Sequence, residues 1–219
     1  MKIRLCVVAF LLFILLPPSA WANQPMDDLK PSVEKVMFLL KSSTSQSAEK
    51  QDSIRNQVMQ IIRETFDFNE ISRRTIAVYW KDFSEKQKNE FTDIFAEFLG
   101  SSYYGKIRDS YSDGDIIYDS QEIVSENKAL VKTRMPREAG DIPIYYRMMI
   151  KNGKWKVYDV IIEKISLVKN YRTQFRSILR KESPGDLIER LKKKISEQKQ
   201  KESQKEDQTG EGKGKPDIQ

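Results

Sequence analysis

The chain contains no histidine and a single cysteine, Cys6. Without histidine, neither a Ser-His-Asp nor a Cys-His nucleophile system can be built, and a histidine zinc site is excluded as well. Catalysis would have to draw on carboxylates, tyrosines, lysines or Ser-Lys pairs. The nine glycines form no phosphate-cradling loop of the GxGxxG or GxxxxGKS kind. Long apolar runs are also scarce. The only one extends from Leu5 to Leu16, preceded by Lys2 and Arg4 and followed by Pro17-Pro18 and Ala20-Trp21-Ala22. This is the layout of a cleaved secretory signal over residues 1–22, with an apolar core too short to span a bilayer comfortably; an uncleaved membrane anchor is the alternative. Cleavage there removes the only cysteine, so the exported protein is expected to lack disulfides and to depend on an ordinary core.

The formal charge of +6 falls by the two cations of that segment, and the remaining Lys, Glu and Asp are interspersed. No basic stripe interleaved with aromatics stands out before the C-terminal tail, so nucleic acid is not an expected partner. At this length one domain is the default, expected over residues 23–198, with a disordered Lys/Glu/Gln/Gly tail over 199–219.

Apolar periodicity predicts helices over residues 27–41 (Val33, Val36, Met37, Leu40) and around Ile54, Val58, Ile61, Ile62, Thr65 and Phe66. A short helix is expected from Phe66 toward Tyr79-Trp80. Ser84 and Gln87 form a capping-box signature ahead of a helix whose stripe is Phe91, Ile94, Phe95, Phe98, Leu99, Ser102 and Tyr103. From Asp115 the period changes to that of strands, predicted over 115–124 and 128–135. Asn152-Gly153 then marks a tight hairpin, since a type I′ turn needs positive φ at both central residues. That turn sets Ile150 opposite Trp155, Met148 opposite Val157, Tyr146 opposite Asp159 and Ile144 opposite Ile161, all on one face. A helix over 166–182 follows, and Asp186 is expected to cap a last one carrying Leu187, Ile188, Leu191 and Ile195. Helices, consecutive antiparallel strands, then helices define an α+β class. About four strands with helices on one side can curl into a half-barrel.

Several of these segments carry a family likeness. Phe66-Asp67-Phe68, Arg73-Arg74, Tyr79-Trp80, Tyr103-Tyr104, Tyr146-Arg147, the run Trp155 to Val160 and the run Ser166 to Phe175 occur in the order found in one group. Over roughly residues 30–195 the chain resembles the periplasmic phospholipid carriers called MlaC, also known as toluene-tolerance auxiliary proteins of an ABC transport system, with hopanoid-associated relatives. One departure is Lys164, where relatives usually carry glycine. The resemblance implies a periplasmic, non-enzymatic shuttle, best suited to a monomer and needing no cofactor or metal. It implies a phospholipid ligand, and as partners an inner-membrane ABC lipid transporter complex and an outer-membrane lipoprotein/porin complex.

Hiding a two-chain lipid from water is worth about 0.8 kcal/mol per methylene, on the order of 20 kcal/mol in all. The implied pocket lies near or above the upper end of the roughly 300–1,000 Å³ range for ligand cavities. Its expected wall combines Phe91, Phe95, Phe98, Tyr103 and Phe175 from helices with Ile144, Tyr146, Met148, Trp155, Val157 and Ile161 from the hairpin. Arg147 and Arg172 are the head-group candidates, because a guanidinium suits bidentate phosphate contact. Periodicity alone describes a solid core equally well. Asp159, the one carboxylate on that hairpin face, admits two readings: a general base in a cone-shaped enzyme, or a structural partner for Tyr, Arg or backbone amides. A non-catalytic adaptor tethering transport components is the other alternative.

Overall fold

The computed structural model describes residues 24–43, 48–110, 115–137 and 140–210. Among the described residues two helices come first, α1 (Pro25–Ser43) and α2 (Ala48–Thr65). They are followed by α3 (Phe68–Ile76), a 3-10 segment (Ala77–Asp82) and α4 (Glu85–Ser110). Five strands come next: β1 (Ile117–Ser125), β2 (Lys128–Met135), β3 (Ile142–Lys151), β4 (Lys154–Ile162) and the two-residue β5 (Ile165–Ser166). Helices α5 (Leu167–Leu179) and α6 (Pro184–Gly210) close the fold. The strands form an open antiparallel meander in the order β1-β2-β3-β4-β5, giving the expected α+β class with one more, very short strand. The segment expected to be a signal, 1–22, lies outside the described residues.

Local chemistry sets the boundaries. Ser84 and Gln87 make both capping-box bonds: Gln87 N–H donates to Ser84 Oγ at 3.3 Å, and Ser84 N–H donates to Gln87 Oε1 at 3.0 Å. At α6 the cap is Ser183 rather than Asp186. Pro184 fills the first helical position, and Asp186 returns the bond by accepting the Ser183 N–H at 2.9 Å. Helix α6 runs on to Gly210, past residue 198 where the tail was expected to begin, because Lys, Glu and Gln are good helix formers even without an apolar face; the remainder of that tail, 211–219, lies outside the described residues.

The Asn152-Gly153 turn is in place with φ of 52° and 75°, and Ile150 and Met148 face Trp155 and Val157 as expected. Beyond that the register departs from the simple ladder. Tyr158 bulges out of β4, so Asp159 meets Arg147, Val160 meets Tyr146 and Ile162 meets Ile144. One inserted residue flips everything after it. Val160 and Ile162 therefore join the Ile144/Tyr146 face, and Ile161 leaves it.

Three apolar clusters hold the molecule. The largest is aromatic: Phe95 lies 5.1 Å from Phe175 and 5.2 Å from Tyr171 in edge-on geometry, with Phe91, Leu187 and Leu191 around them. A second sits under the hairpin, where Leu29 of α1 packs on Ala129, Val131, Met148, Trp155 and Val157. The third joins α1, α2 and α4 through Leu40, Val58, Ile61 and Tyr104.

Candidate functional site

The three clusters approach one another without closing, and an apolar cavity of about 440 Å³ lies where they meet. This volume is in the lower half of the roughly 300–1,000 Å³ range, below the expectation for a two-chain lipid. Four elements supply most of the wall: α1 with Val33, Val36 and Met37, α2 with Val58, Met59 and Ile62, the second half of α4 with Leu99, Tyr103 and Ile107, and the sheet with Ile144, Tyr146, Val160 and Ile162. Burial pushes the Tyr146 hydroxyl up to about 12, so that ring stays uncharged.

The Phe66-Asp67-Phe68 motif places two rings on this wall, stacked with centroids 5.9 Å apart. Asp67 between them is fixed from several sides. Its carboxylate accepts the Glu70 N–H at 3.1 Å as the cap of α3 and pairs with Lys151 at 2.7 Å, and its own N–H donates to the Val157 carbonyl at 2.8 Å. The motif thus ties α3 to β4 and holds both phenylalanines toward the cavity. The thioether end of Met59 lies against Gly100 on α4, where a Cβ would make that flexible side chain shift within the wall.

The residues proposed from sequence divide into groups. Tyr103, Ile144 and Tyr146 border the cavity. Phe91, Phe95, Phe98 and Phe175 do not; they are sealed into the aromatic cluster, because α5 and α6 cover the first half of the α4 stripe. Met148, Trp155 and Val157 pack beneath Leu29, and Ile161 is turned aside by the bulge at Tyr158. Neither head-group candidate borders the cavity. Arg147 pairs with Asp159 at 3.0 Å, and Arg172 donates to the Arg74 carbonyl at 2.7 Å. Arg73 and Arg74 are engaged by Glu70 at 2.8 and 2.6 Å, and the Arg73 hydrogen bond, then the nearby Arg74 charge, holds that carboxyl below its ordinary range against the opposing effect of burial.

Asp159 is buried and its oxygens are occupied. Oδ2 accepts from Arg147 and, at 2.7 Å, from the Ser166 hydroxyl; Oδ1 accepts the Val168 N–H at 3.0 Å. It fastens the start of α5 to β4, where an anion also complements the helix dipole. That is the structural reading of this residue. Sequence reasoning missed the walls supplied by α1 and α2. Their apolar stripes were visible, but periodicity does not say whether a stripe meets another side chain or a cavity.

Comparison with known proteins follows the same lines. The MlaC protein family profile matches residues 30–193. An intermembrane phospholipid transport system binding protein MlaC from Haemophilus influenzae is 24% identical over 129 residues, covering 57% of this chain and 60% of that protein. The toluene tolerance protein ttg2D of Pseudomonas putida is 23% identical over 162 residues, covering 73% of this chain and 75% of its own. In fold, the chain is similar to a phospholipid-binding protein from Ralstonia solanacearum solved in complex with a phospholipid, with a TM-score of 0.70 and 18% identity over 80% of this chain and 99% of that one. With the profile spanning most of its length, the chain belongs to the MlaC family.

Proposed function

We propose that this protein is a soluble phospholipid-binding shuttle, exported to the periplasm, that carries lipid between inner-membrane and outer-membrane components of an ABC-type transport system. The observation that supports this most is the cavity itself. The space opens to solvent, so without a ligand its aliphatic and aromatic lining would face water, an arrangement the hydrophobic effect disfavours. A fold that keeps such a space is built to fill it with something apolar. Acyl chains fit the lining, which is almost entirely aliphatic and aromatic. Met37 and Met59 provide unbranched, adaptable side chains where a longer chain must be admitted.

Carriage also agrees with the rest of the molecule. Among the described residues no helix is long and apolar enough to cross a membrane. The partners follow from the family and from what the Haemophilus and Pseudomonas relatives are named for. Incubation with vesicles containing a fluorescent phospholipid, then re-isolation by size exclusion, tests the reading. Fluorescence is expected to travel with the protein. A folded protein that emerges without it would overturn the shuttle in favour of an adaptor that only tethers its partners.

A further inference from the structure

We propose that the mouth of the cavity is a clasp for a zwitterionic phospholipid head group, with the Arg137 guanidinium taking the phosphate and the Glu163 carboxylate taking the ammonium. The proposal rests on the phospholipid reading above. Among the described residues whose side chains border the cavity, Arg137 and Glu163 are the only exposed ones; the others are buried or half-buried. Both lie at the same end of the sheet, Arg137 just past β2 and Glu163 just past β4, and there the cavity border reaches solvent. Among the described residues they are also the only charged groups on its border apart from the buried, fully engaged Asp159.

Among the described residues, several other charges near this end of the sheet are paired, although Lys164 beside Glu163 is exposed and has no ion pair. Arg134 holds Asp119 at 2.9 Å and Asp141 at 2.6 Å, and Arg147 holds Asp159. Neither Arg137 nor Glu163 has a side-chain hydrogen bond or ion pair among the described residues, and they do not pair with each other. Two opposite charges left apart at one opening match a ligand that carries both signs.

Backbone geometry positions each of them. The Arg137 carbonyl accepts the Gly140 N–H at 3.0 Å, closing the turn after β2. Glu163 sits in the β4–β5 turn with its N–H donating to the Pro143 carbonyl at 3.2 Å. Its φ is 49° and that of the next residue, Lys164, is 70°. Left-handed backbone at two successive residues with side chains is disfavoured, and such strain is kept where the surroundings hold it in place. Here it presents a carboxylate at the rim.

The acyl chains supply the affinity, and the rim selects. A guanidinium suits a phosphate through paired N–H donors. Glu163 favours an ammonium head and repels one that is anionic overall. At an exposed rim the discrimination is modest, about threefold.

The test offers the purified protein vesicles of equimolar phosphatidylethanolamine and phosphatidylglycerol with matched acyl chains. Bound lipid is then quantified by mass spectrometry after re-isolation. The wild type is expected to enrich phosphatidylethanolamine about threefold, and Glu163→Gln to load the two in the vesicle ratio. Arg137→Gln is expected to keep the preference and release both lipids about threefold faster. A wild type that loads both lipids well but in the vesicle ratio would overturn the clasp, as would a Glu163→Gln variant with unchanged selectivity. A wild type that loads neither lipid would instead overturn the phospholipid reading itself.

Discussion

Replacing Ile144 by tryptophan separates a cavity wall from a packed core. Ile144 lies on β3, opposite Ile162, with its side chain on the cavity border. A strand position accepts an aromatic ring readily. The indole adds about six heavy atoms to the cavity, and each methylene displaced from it forfeits ~0.8 kcal/mol. If the acyl chain re-routes partly, the loss is about 2 kcal/mol; if not at all, about 5 kcal/mol. Lipid affinity should fall by roughly 30-fold to a few thousand-fold. Stability to urea should change by no more than about 1 kcal/mol, since the ring enters open space. Met148→Trp is the contrast. Met148 is wholly buried between Ala129 and Val157, so a larger ring overpacks the core and should cost about 1–3 kcal/mol or more. Both variants are measured by urea melts and by phosphorus analysis of the solvent extract. An Ile144→Trp protein that is folded and retains the wild-type lipid load would refute the reasoning. So would one as destabilised as Met148→Trp, which would place Ile144 in solid core.

Three further outcomes are expected. Asp159→Ala should cost about 2–4 kcal/mol in urea melts, because the Ser166 hydroxyl, the Val168 N–H and Arg147 all lose their acceptor; a variant as stable as wild type would remove Asp159 from its structural role. Lys164→Gly should raise stability by about 0.5 kcal/mol, with relief of left-handed strain outweighing the added freedom of the unfolded chain; a loss on thermal melting would show that the turn is not strained. Glu70 titrates lower in the fold than in the unfolded chain, so its contribution is present at neutral pH and lost as pH falls below the ordinary carboxylate value and through its depressed folded one. Glu70→Gln should therefore lose less stability than wild type between pH 7 and 3, and equal losses would contradict the pairing with Arg73 and Arg74.

Much of this fold was legible in the residues, and the misreadings share a cause. The Asn152-Gly153 turn and the Ser84/Gln87 cap are local chemistry, and both occur as expected. The bulge at Tyr158 has no comparable local mark, and it exchanged Ile161 for Val160 and Ile162 on the cavity face. The α4 stripe was correctly seen as apolar, yet it serves two surfaces. Phe91, Phe95 and Phe98 meet α5 and α6, while Tyr103 looks onto the cavity. Which partner covers an apolar stripe is a tertiary fact. The family motif around Asp67 pointed to the right region, although Phe66 and Phe68 were not recognised as wall residues. The arginines Arg147 and Arg172 were chosen for chemistry that suits phosphate, and the structure commits both to protein acceptors.

The most direct test of lipid carriage is native mass spectrometry of the protein purified without detergent, with lipid analysis of its extract. A bound mass matching one two-chain phospholipid per protein is expected. A protein that is folded but carries no lipid, even after incubation with vesicles, would contradict it.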